Sequence, residues 1–324
     1  QDEPDSSNRL DGMAQGIIGQ AMPRLDGLAK VTGTAPYSAE YPVENCAEGV
    51  LVTSTIVRGE ITRIDRESVL SMPGVIAVID DERLTTRAAQ GTANEAPQQS
   101  PRTVCYWGQP IALVVAETFE QARDAAKHLK VEYRVDDGAP LDPASAEREE
   151  QEDETVRQGD LAHAMSTSEH SVDVTCTTKG HASAAMEPHA AIAEWSGDKL
   201  TVHASLQMPN YNICELADAL DLEEEQVRLI SRFVGGGFGS KLGVSEDVVA
   251  ASIAAMQLGR TVRVVMSRQQ VFQCVMRRSE TTQRLRLACD DDGKLTAFGH
   301  EALVSNLPGE TFARATQMQP MTTE

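Results

Sequence analysis

The segment Arg232-Phe233-Val234-Gly235-Gly236-Gly237-Phe238-Gly239-Ser240-Lys241-Leu242-Gly243 organises this chain: five glycines fall in nine positions, with Phe238 among them. An apolar run from Val227 to Val234 precedes it, and a helix-like pattern from Val244 to Leu258 follows. Strand, glycine loop and helix start make a backbone suited to touching a ligand, because glycine reaches φ > 0 and lets a bound group approach the main chain. The N–H groups of such a loop, and of the first turn of the helix after it, suit an oxyanion or phosphate. Two familiar glycine motifs are excluded by order. A Walker A loop needs a hydroxyl residue after its lysine, and here Leu242 follows Lys241. The dinucleotide fingerprint G-x-G-x-x-G fails at Ser240 when started from Gly235 and at Leu242 when started from Gly237. The alternative is a turn that merely packs tightly. Each glycine costs roughly 0.5–1 kcal/mol relative to alanine in a regular element, so a triple glycine followed by Phe-Gly favours a ligand-touching role.

The chain has 324 residues, enough for two or three domains and a large core. Its hydrophobic share of 41% is that of a globular protein, and the aromatic share of 4% means a core built mainly from Val, Leu, Ala and Ile. A formal charge of −20 argues against a nucleic-acid surface, which needs clustered Lys and Arg. No run of about 18 apolar residues is present, so no membrane span is expected. Cys46, Cys105, Cys176, Cys214, Cys274 and Cys289 show no C-x-x-C or iron–sulfur spacing. They read as ordinary thiols of a reducing compartment, and any cluster that removes electrons must sit elsewhere.

Taken in order, residues 1–23 form a polar lead-in, and the stretch from Pro23 to Tyr37 is turn-rich and extended. Gly49 to Val57 and Val75 to Ile79 read as strands, with a short helix from Val69 to Met72 ended by Pro73-Gly74. After a polar loop (Thr85 to Ser100), Ile111 to Ala116 is a continuous apolar run suited to a buried strand. Thr118 and Gln121 make a capping box for a helix carrying Phe119, Ala122, Ala126 and Leu129 on one face, and Val131 to Arg134 is again a strand. This is a mixed α+β domain, residues 24–135. Residues 136–158 are expected to be an acidic linker, with seven charges in the eight positions from Glu147 to Glu154. A second region, 159–324, opens with an exposed strand from Ser171 to Thr177. A hairpin (Ala190 to Trp195, Lys199 to Ser205) delivers Gln207-Met208-Pro209-Asn210, and Tyr211 to Leu220 looks helical. Beyond the glycine loop, Ser245, Glu246 and Asp247 suit a helix N-terminus; Val248, Ala251, Ser252, Ala255 and Leu258 form a small-residue face, and Gly259 stops the helix. Arg260 to Ser267 is a strand, and 280–289 with 294–305 make a hairpin around Asp291-Asp292-Gly293. His181 and His189 flank Glu187-Pro188; with no third ligand spaced to help, they read as polar residues near a site rather than as metal ligands.

Several of these groups together resemble one family. Arg24-Leu25-Asp26-Gly27 with Lys30 to Ala35, Gly108-Gln109-Pro110-Ile111-Ala112-Leu113-Val114, Met186-Glu187-Pro188-His189, Leu206-Gln207-Met208-Pro209, and Phe233 to Lys241 occur in order over residues 20–308. The chain is similar to the N-terminal part of the molybdenum-binding subunit of the xanthine dehydrogenase/aldehyde oxidase family. The resemblance implies an α+β fold: an α/β hammerhead domain, then part of a molybdenum-cofactor-binding α+β domain. It implies that Gln207 hydrogen-bonds an oxygen ligand of molybdenum. It also implies that the backbone of Gly236, Gly237, Phe238 and Gly239 lies against the metal and its pterin, with no residue of this chain ligating the metal directly. The cofactor would be molybdenum–molybdopterin, in mononucleotide or cytosine-dinucleotide form, with [2Fe–2S] and FAD on partner chains. Purine-oxidising members carry a glutamate where Leu242 stands. Leu242 is therefore a substrate-pocket candidate that shifts the expected substrate from xanthine to aldehydes or another heteroaromatic, since an apolar side chain cannot hydrogen-bond a ring nitrogen. The resemblance further implies a subunit more than twice this length, with the essential base glutamate on the other half. This chain is then a fragment or one half of a split subunit, inactive alone, whose partners are the second half, an iron–sulfur subunit, an FAD subunit and a small-molecule substrate. A cytoplasmic location is expected, or the periplasm if a partner bears an export signal. The competing expectation is a non-catalytic acidic α+β module whose glycine loop binds an anionic ligand or a partner.

Overall fold

The computed structural model describes residues 21–86, 101–138, 145 and 155–305. The start of the lead-in, most of the Thr85–Ser100 loop, the charge run Glu147–Glu154 and everything after Ser305 lie outside the described residues. The chain divides into a small unit ending at Pro36 and a large one beginning at Tyr37.

The small unit differs from the extended stretch that its sequence suggests, because it holds helix α1, Gly27–Val31. The cause is local. Asp26, just before the helix, pairs with Lys30 four residues on at 2.9 Å and with Arg24 at 3.0 Å. These two cations, Lys30 foremost, pull its carboxyl pKa down to about 2.

In the large unit a seven-stranded sheet runs in the order β11 (Val227–Ile230), β10 (Lys199–Ala204), β9 (Ala190–Ser196), β12 (Val262–Val265), β1 (Ala47–Thr53), β5 (Pro110–Ala116) and β3 (Val75–Ile79). β10 with β11 and β1 with β12 pair in parallel, and the other neighbours are antiparallel. Strands from both sides of residues 136–158 thus share one sheet, joined where Ala47, Glu48 and Gly49 face Val262, Arg263 and Val264. Arg263 and Glu48 form an ion pair across that seam at 3.1 Å. A side chain at Gly49 would press on Val264 and Leu113, with its Cβ at 2.9 Å from the valine methyl.

The strand predicted from the run Ile111 to Ala116 is β5, buried at every position. Alternate residues serve two cores: Leu113 and Val115 face one, while Ala112 and Val114 face the other. The second core is closed by α2 (Glu67–Leu70), α4 (Phe119–His128) and a three-stranded sheet, β4 (Thr103–Val104), β2 (Gly59–Asp65) and β6 (Lys130–Val135). The Thr118/Gln121 capping box is realised at 3.3 and 3.1 Å. The helix turns Ala122 and Ala125 inward, leaving Phe119 partly exposed beneath the Arg123 guanidinium. β2 has no apolar alternation in the sequence; Glu60 and Arg134, and Arg63 and Glu132, pair across its junction with β6.

The glycine loop leads to α7 (Glu246–Leu258), which lies across β9 and β12 and also meets α3 (Arg83–Thr86) and α6 (Pro209–Leu220). Contact on several sides buries every residue from Asp247 to Ala255, where a single buried face was expected. The run of Ala, Ser and Val makes this possible, since small side chains let neighbouring elements approach from all directions. Gly259 ends the helix in the left-handed region, with φ at +58°. α8 (Arg268–Cys274) follows, started by a Ser267/Gln270 capping box. β13 (Arg277–Arg278) pairs with β8 (His181–Ala182), and β15 (Leu295–Val304), β14 (Thr281–Cys289) and β7 (His170–Thr178) form a last sheet touched by α5 (Leu161–Thr167). Among the described residues no helix is long and apolar enough to cross a membrane.

Candidate functional site

The loop Gly235–Lys241 stands between β11 and α7, facing the turn that carries Glu187 and the segment after β10 that carries Gln207. Its conformation needs its glycines. Gly236 and Gly239 have φ of +101° and +97°, and a Cβ on Gly237 would collide with the Gln207 amide. Phe238, between them, also takes a left-handed φ, +54°, and the residue is 70% exposed. An aromatic residue held there is strained. Within the loop, Ser240 closes a turn by donating both its N–H and its hydroxyl to the Gly237 carbonyl, each at 2.9 Å.

Gln207 is tied to this loop at one end only. Its Oε1 accepts from the N–H of Gly239 at 3.0 Å and of Lys241 at 3.4 Å, and its own N–H donates to the Lys241 carbonyl at 2.7 Å. Two backbone donors on one amide atom require that atom to be oxygen. The –NH2 end is therefore turned outward, and among the described residues it takes no acceptor. The backbone N–H groups of Gly236, Gly237 and Phe238 likewise meet no acceptor among the described residues.

Beneath the loop lies a buried polar layer. Lys241 is fully buried (0% exposed), and its three ammonium protons go to the Glu187 carbonyl at 3.0 Å, Glu187 Oε2 at 3.0 Å and Ser205 Oγ at 2.9 Å. Burial pulls the Lys241 pKa down, and Glu187 opposes that shift. Glu187 Oε2 also accepts from the Gly235 N–H and the Ser205 hydroxyl, both at 2.6 Å. His189, buried, meets the Ser240 carbonyl through Nε2 at 2.9 Å. Burial pulls the His189 pKa down and pushes that of Asp247 up, each group opposing the shift of the other. On the far side, Asn212 of α6 donates to the Leu242 carbonyl at 2.8 Å and to Glu215 Oε2 at 2.6 Å, which accepts the Val244 N–H at 3.0 Å.

Gln207 and the four loop residues Gly236 to Gly239 are thus brought together. Leu242 is half-buried just beyond them, with its backbone held by Gly239 and Asn212. His181 is exposed on β8, whereas His189 sits behind the loop; among the described residues no cluster of His, Cys, Asp or Glu is arranged to hold a metal ion. Glu246 and Asp247 stand in the first turn of α7 as expected of a helix N-terminus, Asp247 buried and Glu246 half-buried with one carboxylate oxygen shielded from water. Burial pushes the Glu246 carboxyl up to about 7, and Asp247 takes the Ser245 hydroxyl at 2.5 Å. Sequence reasoning gave no site role to Glu187, Ser205, Lys241, Asn212 or Glu215, although Glu187 and Lys241 lie within the ordered motifs. A lysine and a glutamate inside apolar surroundings were the available signals, but their convergence has no local pattern.

This arrangement is an α+β scaffold presenting a pinned amide and main-chain donors that meet no acceptor among the described residues. The same fold occurs in solved structures. Quinoline 2-oxidoreductase from Pseudomonas putida 86 matches with a TM-score of 0.77 at 22% identity, over 88% of this chain and 39% of that one. Aldehyde oxidoreductase from Desulfovibrio gigas matches with a TM-score of 0.75 at 24% identity, over 87% of this chain and 34% of that one. Residues 32–137 match the aldehyde oxidase and xanthine dehydrogenase a/b hammerhead domain, and residues 145–323 match the molybdopterin cofactor-binding domain. The chain belongs to the aldehyde oxidase/xanthine dehydrogenase family of molybdenum-dependent oxidoreductases. It is 38% identical over 325 residues to the aldehyde oxidoreductase molybdenum-binding subunit PaoC of Escherichia coli (strain K12), covering 99% of this chain and 44% of that protein. To the nicotine 6-hydroxylase large subunit of Paenarthrobacter nicotinovorans it is 30% identical, over 93% of this chain and 40% of that protein. The chain therefore spans less than half the length of these two relatives.

Proposed function

We propose that this chain forms one part of a molybdenum hydroxylase active site, which oxidises aldehydes or C–H groups beside a ring nitrogen with water as the oxygen source. Electrons leave through [2Fe–2S] and FAD on partner chains, and the base glutamate lies on the remainder of the subunit. The observation that carries this proposal is the orientation of Gln207: the loop holds its carbonyl end, so its –NH2 faces outward as a donor beside the N–H groups of Gly236, Gly237 and Phe238, which meet no acceptor among the described residues. The cofactor fits this donor set, because an oxygen-rich anionic group is what uncharged N–H donors on a glycine cradle bind well.

Gln207, Gly236, Gly237, Phe238 and Gly239 would hold the molybdenum–pterin group, in mononucleotide or cytosine-dinucleotide form. When bound, that group supplies Lewis acidity and redox capacity. The protein's part is positional. An amide orients an oxygen ligand without competing for the metal, and its fixed Oε1 removes the alternative amide flip. The glycine backbone permits close approach, and the exposed Phe238 ring offers an apolar wall that excludes water. Leu242, apolar, offers no hydrogen bond to a purine-like ring, which supports aldehyde or simple heteroaromatic substrates over xanthine.

In the complete enzyme, Gln207→Ala should lower turnover about 10–100-fold, the usual cost of losing a partner of a metal's ligand, while the melting temperature stays near wild type. Unchanged turnover would remove Gln207 from the site. The competing function, an anion-binding module without molybdenum, is weakened by Lys241, whose three protons are consumed inside the protein and which cannot meet an external anion. Molybdenum and pterin content of natively purified material separates the two: stoichiometric molybdenum with co-purifying flavin and iron–sulfur chains supports the hydroxylase, and a metal-free chain purifying alone supports the module.

A further inference from the structure

The two ends of the glycine loop are fastened to a single atom. Glu187 Oε2 takes the N–H of Gly235, the first loop residue, at 2.6 Å and the ammonium of Lys241, the last, at 3.0 Å. The Ser205 hydroxyl completes the set at 2.6 Å and itself accepts from Lys241. Between these ends Gly236, Phe238 and Gly239 all have left-handed φ. A chain in that shape relaxes unless its ends are held. Lys241 is also the residue whose backbone N–H and carbonyl both engage Gln207. The path from carboxylate to amide is therefore two contacts long.

We propose that Glu187 is a positioning residue: its carboxylate clasps the loop shut and, through Lys241, sets the direction in which the Gln207 amide points. The importance of that direction rests on the function proposed above; the clasp itself does not. Neither Glu187 nor Lys241 is placed to touch a ligand, since Lys241 is fully buried and the Glu187 side chain nearly so. Their separation in sequence, and the shared Ser205 on a third segment, make the clasp a product of tertiary structure alone.

The test uses the complete enzyme and removes both charges together, because a lone buried charge destabilises by itself. In Glu187→Gln/Lys241→Met, hydrogen–deuterium exchange of peptides covering 232–243 should accelerate about tenfold or more, with the sheet strands unchanged. This readout needs no bound cofactor. Turnover per bound molybdenum should fall about tenfold with KM within about twofold. Adding Gln207→Ala in that background should cost less than it does in the wild type, as expected of residues acting through one another. A stably folded double variant with wild-type loop exchange and turnover overturns the proposal. Accelerated loop exchange in an enzyme that never contains molybdenum sustains the clasp and overturns the functional proposal instead. If the double variant does not fold, Ser205→Ala, which leaves the ion pair intact, is read in the same way. Faster loop exchange with a turnover loss of about twofold or more supports the clasp, and no change in either overturns it.

Discussion

Glu215 shows how a side chain that bonds the backbone beyond the loop makes the fold sensitive to pH. Burial pushes its carboxyl up to about 7 from an ordinary 4.5, against the opposing bonds from Asn212 and the Val244 N–H. Glu246, at the start of α7, is pushed up to about 7 by burial as well. Between about pH 4.5 and about pH 7 the folded chain then binds more protons than the unfolded chain, so the contribution of these groups to stability is lost as pH rises through that window. Calorimetric melting should therefore show a fall between about pH 4.5 and pH 7 that is shallower in Glu215→Gln, which keeps an acceptor for Asn212 and Val244 without the charge. Equal slopes in the two proteins would mean that Glu215 does not titrate in this range. Gln207 belongs here too: its predicted loss of turnover without loss of stability separates a side chain exposed for chemistry from those buried beneath it for support.

Helix α4 carries the clearest locally encoded start in the chain, and it supports the second core from β1 and β5 to Leu129. Gly74 reinforces the cap from outside: with φ at +77° it lies where any side chain would run into Gln121, the other half of the capping box. Thr118→Ala should cost about 1 kcal/mol, the usual value for an N-cap hydroxyl, read as a lowered denaturant midpoint at unchanged slope. No change in midpoint would show that water replaces the cap without loss. The contrast with α7 is physical. α4 is amphipathic and needs its cap, whereas α7 is enclosed by neighbours and ends at Gly259 because the left-handed turn there suits glycine.

The single seven-stranded sheet means that the hammerhead portion and the cofactor-binding portion share a structural framework, whatever boundary the family divisions suggest. Beyond the β1–β12 pairing, Arg260 meets Glu117 at 2.8 and 3.0 Å and reaches the Asn45 carbonyl, and Gln270 donates to the Leu51 carbonyl at 2.8 Å. One apolar core also contains residues of both portions, Leu51 and Leu113 with Ala193 and Val264. A protease site inserted after Gln151, once cut, should leave two fragments that co-elute on gel filtration in native buffer. Fragments that separate would show that the sheet does not hold across the seam.

Much of this was legible in the amino-acid order because the physics involved is local. An apolar run reports a strand buried on both faces, as at Ile111 to Ala116; a hydroxyl and a glutamine three apart report a helix start at Thr118; Asp291-Asp292-Gly293 reports the turn of a hairpin. The triple glycine with Phe238 announced a backbone meant for close approach, and the ordered motifs around it pointed to the family. β2 and α8 were not read, since β2 is held by ion pairs to strands far along the chain and α8 is too short for a periodic signal. α1 was read as extended because its stabilising pairs involve three charged residues rather than an apolar pattern. The sequence by itself determined the elements that carry an apolar pattern or a local cap, and which loop is special. Only the tertiary structure decided which end of Gln207 faces outward and that Glu187, Ser205 and Lys241 meet at one oxygen, because a hydrogen-bond network among residues up to 54 positions apart is set by packing in three dimensions.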